Sequence, residues 1–210
     1  LKNGGGMAAT DCPREDNAAV DLVERNLKAC RSGKVAYIDD AGSYTFGELA
    51  ERVNRAANAL ASLGIKREER IALALLDTID FPAAFLGAIK AGIVPVALNT
   101  LLTTPDYDYK LRDSRARVLV VSEPLLKSFL PLLGKLPDLE HVIVAGKDAQ
   151  GHALFSDLLA NAGTDFKAAA TLADDICCGL YSSGSTGAPK GTVHLHSHLI
   201  LTADLYAIPV

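Results

Sequence analysis

Ile71-Ala72-Leu73-Ala74-Leu75-Leu76 is an unbroken apolar run of strand length. A strand with one face in water alternates apolar and polar residues, whereas a strand covered on both faces has no polar side to show. The run therefore predicts a strand between two layers. A helix is predicted from about Phe81 to Ala91, and Val94 to Ala97 forms the next apolar strand. Strand, helix and strand in that order call for parallel strands joined by a right-handed crossover.

The same grammar extends in both directions. Towards the N-terminus, Thr45 caps a long helix with Glu48 as its capping-box partner and Gly64 closing its end. Before it, Val35 to Ile38 and Ser43 to Thr45 read as a hairpin around Asp39-Asp40-Ala41-Gly42, and Ala18 to Ala29 has apolar residues at helical spacing. Towards the C-terminus, Thr104-Pro105 opens a helix running to about Ser114. Strands at Val118 to Val121 and His141 to Ala145 alternate with helices at Pro124 to Leu133 and Phe155 to Ala160, and a last apolar strand spans Ile176 to Tyr181. The fold class is α/β, with layered, mostly parallel sheets flanked by helices. The 210 residues, 49% of them hydrophobic, suffice for one large or two small domains. Residues 1–16, opening Leu1-Lys2-Asn3-Gly4-Gly5-Gly6, read as a disordered or vector-derived lead to a domain over 17–210.

The strand at Ile176 leads into Tyr181-Ser182-Ser183-Gly184-Ser185-Thr186-Gly187-Ala188-Pro189-Lys190-Gly191. Glycines let backbone amides approach an anion, while Ser and Thr hydroxyls and one ammonium add donors for the same oxygens. A flexible linker needs neither the lysine nor apolar runs on both sides. The Walker spacing is absent: Ala188 and Pro189 separate Gly187 from Lys190, and Gly191 stands where a Walker loop has its hydroxyl. Pro189 prevents direct entry into a helix. Thr192-Val193-His194-Leu195-His196 alternates instead, so the loop is expected to join strand to strand. Its position at the carboxyl end of a strand is where open α/β sheets bind ligands.

These residues carry a resemblance. Tyr181 to Gly191 resembles the signature loop of adenylate-forming enzymes, the superfamily of acyl-CoA synthetases, luciferases and peptide-synthetase adenylation domains. More narrowly, Asn17-Ala18-Ala19-Val20-Asp21-Leu22, Asp77-Thr78-Ile79-Asp80-Phe81-Pro82, Gly87-Ala88-Ile89-Lys90-Ala91-Gly92, Asn99-Thr100-Leu101-Leu102-Thr103-Thr104 and Leu111-Arg112-Asp113-Ser114-Arg115-Ala116-Arg117 resemble benzoate-CoA ligases. The resemblance implies that the chain is the partial N-terminal AMP-binding domain of a longer enzyme. The adenine, ribose, magnesium and catalytic-lysine residues and a small lid domain would then lie beyond Val210. It implies a reaction in which a carboxylate attacks the α-phosphorus of ATP, releasing pyrophosphate, after which the CoA thiolate displaces AMP. ATP, Mg2+ and coenzyme A are the implied cofactors and co-substrates, and an aromatic acid such as benzoate the substrate. Lys190 would be the main cationic phosphate contact. Ser182, Ser183, Ser185 and Thr186 would be hydroxyl donors, and Gly184, Gly187 and Gly191 would permit the conformation. His194 and His196 would line or support the nucleotide site. In Leu201 to Ala207, Tyr206 and Ala207 would reach the acid pocket, although Tyr206 reads equally well as a core tyrosine. A fatty or acetyl acid in place of benzoate, and a stand-alone nucleotide-binding module without turnover, remain alternatives.

Other features narrow the field. The formal net charge of -4 and the lack of a basic stripe argue against a nucleic-acid partner. Arg112, Arg115 and Arg117 read as a solvated helix end, and Lys66 to Arg70 as a solvated loop. No membrane span or signal peptide is legible, so a cytoplasmic protein is expected. Cys12, Cys30, Cys177 and Cys178 lack zinc or redox spacing, and the adjacent pair is expected to be buried. His194, His196 and His198 would share one side of an extended strand, but no local carboxylate or thiol completes a metal set, and no metal ligand is assigned. Tyr107 and Tyr109 are expected at the surface or in packing.

Overall fold

A computed structural model describes residues 14–182, 187–203 and 205. The expectations for Cys12, Ser183, Gly184, Ser185, Thr186, Tyr206 and Ala207, and for residues 1–13 of the lead, lie outside them. The sheet strands are β3 (Arg70–Ala74), β4 (Val94–Ala97), β5 (Val118–Ser122), β6 (His141–Ala145), β7 (Ala153–Leu154), β8 (Ile176–Ser182) and β9 (Lys190–Leu195). A separate hairpin pairs β1 (Val35–Asp39) with β2 (Gly42–Thr45). The helices are α1 (Arg25–Lys28), α2 (Phe46–Ser62), α3 (Asp80–Lys90), α4 (Thr104–Ser114), α5 (Phe155–Asn161) and α6 (His196–Thr202).

The sheet order is β7-β6-β5-β3-β4-β8-β9, parallel up to β8, with β9 antiparallel to β8. The apolar run at residue 71 becomes the central strand. Ile71, Leu73 and Leu75 join one core with Ala56 and Leu60 of α2, Ala84 and Ala88 of α3, and Phe155 and Leu159 of α5. Ala72 and Ala74 point to the other face and join Tyr107 and Leu111 of α4, Leu126, Phe129 and Leu132. From Ile71 to Leu75 each side chain thus enters one of two dry layers, which is why the run has no polar alternation, while Arg70 at the start of β3 and the exposed Leu76 past its end belong to neither.

Local chemistry explains the element boundaries. Glu48 N–H donates to Thr45 Oγ1 at 3.2 Å, and Thr45 N–H to Glu48 Oε2 at 2.7 Å, which closes the expected capping box of α2. Thr103, one residue earlier than expected, precedes α4, its amide donating to Asp106 Oδ2 at 3.0 Å. Helices α2 and α3 touch at Gly87, where an added Cβ would sit 2.7 Å from Ala56 Cβ and 3.0 Å from Val53 O. Only glycine permits that approach.

Several expectations are corrected. A single helix over Ala18 to Ala29 is replaced by a π-turn at Val20–Glu24 followed by the short α1. Pro124 to Leu133 forms two 3-10 turns, Glu123–Ser128 and Leu130–Leu132, because Pro131 lacks the N–H an α-helix would need there and its ring clashes with the preceding turn. The fold begins before Asn17: Glu15 bridges Leu172, and Asp16 N–H donates to Thr171 O at 3.0 Å. The two basic clusters are not simply solvated. Arg117 pairs with Glu69 and Glu140, and Arg67 pairs with Asp175, so residues read as separate loops mesh along one end of the sheet. Lys90 is buried, with Nζ on Glu24 Oε1 at 2.9 Å and Asn54 Oδ1 at 2.6 Å, as a buried charge requires.

Candidate functional site

Strands β8 and β9 form a hairpin in which Tyr181 faces Gly191 and Ser182 faces Lys190. The strand-loop-strand arrangement expected from Pro189 is therefore present. The pairing brings Ser182, on the incoming arm, and Lys190, on the outgoing arm, to the mouth of the loop. Both are exposed there. Gly187 has φ +141° with nothing within 4 Å of an added Cβ, so it is the backbone conformation and not lack of space that calls for glycine. The mouth lies at the carboxyl end of β8, whose other neighbour, β4, runs parallel to it with Val96 opposite Gly179.

Helix α4 braces the hairpin, a role sequence reasoning did not find. Tyr181 Oη donates to Asp113 Oδ2 at 2.6 Å, and Lys110 Nζ lies 5.3 Å from the centre of the Tyr181 ring. Burial first, and then the Asp113 carboxylate, push the Tyr181 hydroxyl well above the ordinary tyrosine range. Tyr109 Oη donates to the Pro189 carbonyl at 3.0 Å. These partners lie 68 and 80 positions apart, so no local pattern announces them; the signal available was the spacing of Tyr109 and Asp113, four apart on one helix. Tyr107, by contrast, is a packing residue, 4.2 Å from the Phe129 ring centre.

The histidines separate. Strand β9 ends at Leu195 and α6 begins at His196, so the three do not share one side of a strand. The turn from strand to helix divides them. His194 and His198 meet edge to face at 5.9 Å, and His198 Nδ1 accepts from Leu195 N–H at 3.3 Å. His196 is buried, and its Nδ1 accepts from Ala18 N–H at 3.0 Å. One nitrogen of its ring is thus committed to the N-terminal segment. Desolvation lowers its pKa from the ordinary value, with Asp175 opposing and Arg67 adding to the shift. Among the described residues no group of three or more His, Cys, Asp or Glu side chains is placed to hold a metal. Cys177 and Cys178 are both buried and Cys30 is exposed.

Two openings flank this arrangement. A cleft of about 250 Å3 under the hairpin is lined by Val94, Val96, Cys178, Leu180 and Tyr181. A wider one of about 600 Å3 lies by the carboxyl ends of β3, β5 and β6, beside Asp80, Ser122 and Gly146. Strand β4 separates β3 from β8 in the sheet, so the wider opening is not the mouth of the loop.

Residues 23–209 match the model of the AMP-binding enzyme family. The chain belongs to that family. It is 58% identical over 203 residues to the benzoate-CoA ligase of Thauera aromatica, covering 96% of this chain and 38% of the relative. A crystal structure of a benzoate CoA ligase from Burkholderia xenovorans LB400 superposes with a TM-score of 0.83 at 46% identity, over 92% of this chain and 37% of that one. The anthranilate CoA ligase AuaEII, solved in complex with anthranoyl-AMP, superposes with a TM-score of 0.92 at 39% identity, over 97% of this chain and 39% of that one. This AMP-binding chain thus spans well under half the length of the relatives it matches. Its layered α/β fold is that of the corresponding part of these ligases. No helix among the described residues is long and apolar enough to cross a membrane.

Proposed function

We propose that this chain works as the N-terminal part of a longer ligase that activates a benzoate-like carboxylate, first as the acyl-adenylate and then as the CoA thioester. The observation that carries the reading is the hairpin register: Ser182 opposite Lys190 at the mouth of a Ser/Thr/Gly-rich loop, on a chain 58% identical to a benzoate-CoA ligase. The loop would hold the β- and γ-phosphates of ATP through Lys190 and the hydroxyls of Ser182, Ser183, Ser185 and Thr186, with Gly184, Gly187 and Gly191 admitting the backbone amides. Such a site works by positioning and by spreading negative charge, and forms no covalent bond to the nucleotide.

His194 would lie behind the loop on β9, and His196 would act as a support. Tyr206 and Ala207 would extend towards the acid. Tyr181 to Gly191 carries an ammonium and no carboxylate, a donor set suited to phosphate oxygens and not to a divalent cation. Mg2+ would therefore enter with ATP, and no ligand for it is assigned in this chain. Dependence on ATP and CoA fits a cytoplasmic enzyme acting on a small carboxylate, with neither nucleic acid nor membrane as partner. ATP-pyrophosphate exchange by the longer protein tests the reading. Exchange that depends on benzoate is expected; none with any aromatic acid would refute it.

A further inference from the structure

We propose that Tyr109 and Asp113 are positioning residues for the phosphate loop, pinning both arms of the β8–β9 hairpin to one face of α4 before ATP arrives. The inference rests on the phosphate reading above. Residues four apart on a helix lie one above the other on the same face. At one level Asp113 takes the Tyr181 hydroxyl at 2.6 Å, on the arm entering the loop. At the other, the Tyr109 hydroxyl reaches the Pro189 carbonyl at 3.0 Å, on the arm leaving it. Lys110, between them in sequence, lies over the Tyr181 ring and adds a cation–π contact.

The Pro189 carbonyl and the Lys190 amide belong to a single planar peptide unit. Holding that oxygen therefore fixes the plane from which the Lys190 side chain departs. Pro189 has no N–H to offer a neighbouring strand, so its carbonyl is the backbone handle available to a brace. Arms held in advance lose less conformational freedom when a ligand engages them, and the saving appears as affinity for that ligand. Tyr109 is 38% exposed, so replacing it with phenylalanine removes the hydrogen bond without opening the core.

The test is ATP-pyrophosphate exchange by the longer ligase, with ATP and benzoate varied separately. Tyr109→Phe is expected to raise KM for ATP roughly 3- to 10-fold, the worth of one hydrogen bond. KM for benzoate is expected to stay at its wild-type value, and the thermal midpoint to fall no further than that of Tyr181→Phe. In a Lys190→Ala background the same substitution is expected to cost less than it does alone, because pin and ammonium serve one contact. An unchanged KM for ATP, or equal rises for both substrates, overturns the positioning role if Lys190→Ala still weakens ATP. If Lys190→Ala leaves ATP untouched, the phosphate reading falls and this inference falls with it.

Discussion

The Tyr181 hydroxyl donates to Asp113 Oδ2 at 2.6 Å, joining the last helix turn before β5 to the strand that enters the Ser/Thr/Gly-rich loop. The bond crosses between two elements that share no sequence neighbourhood. Tyr181→Phe deletes it while keeping the ring beside Lys110. The expected loss is about 1 kcal/mol, the net worth of a partly exposed hydrogen bond. Urea denaturation of the variant against the wild type measures it, and an unchanged midpoint would show that the bond contributes nothing.

Gly87 tests the contact between α2 and α3. An alanine there places its Cβ 2.7 Å from Ala56 Cβ and 3.0 Å from a backbone oxygen, so one helix must move. Overpacking of this kind costs roughly 1–3 kcal/mol. Helix propensity works the other way, favouring alanine by about 1 kcal/mol. A net loss of stability in thermal unfolding is expected, and partial recovery in the double variant Gly87→Ala/Ala56→Gly would locate the clash.

His196 makes stability depend on pH. Its folded pKa lies below the ordinary value of 6.5, so the unfolded chain takes up a proton at a pH where the folded chain does not. The contribution is complete above about pH 6.5 and declines as pH falls towards the lowered folded value. His196→Asn keeps an acceptor for Ala18 N–H and removes the titration. The wild-type thermal midpoint is expected to fall more between pH 8 and pH 5.5 than that of the variant; parallel curves would contradict the assignment.

Lys190→Ala separates the two half-reactions of the proposed ligase. The pyrophosphate-releasing step should slow markedly, because the β- and γ-phosphates lose their cation. Thioester formation from a preformed benzoyl-adenylate, which has no such phosphates, should be nearly unaffected. Equal losses in both steps would remove Lys190 from its role.

Much of the fold could be read because burial leaves a trace in short segments. Val94 to Ala97 and His141 to Ala145 are strands with the bounds expected of them, since each is a short, largely apolar run. Thr45 and Glu48 cap α2 through a pattern that spans only four residues. Strand β7, just Ala153–Leu154, has no periodicity to detect. The alternation of His194, His196 and His198 misled because it ran across the junction of β9 and α6. The loop itself was legible from composition, whereas the brace from Tyr109 to Pro189 was not, because tertiary contacts over such separations leave no local periodicity. Arg117 likewise looked solvated until Glu69 and Glu140 came to it from distant segments.

The bond from Ala18 N–H to His196 Nδ1 joins positions 178 residues apart. On a ribosome adding about 5–20 residues per second, the first of these partners waits on the order of ten seconds or more for the second. Until then the nascent amino-terminal segment has no imidazole to dock against. Vectorial synthesis thus makes the seating of that segment a late event, and a stretch in which a chaperone can still reach it.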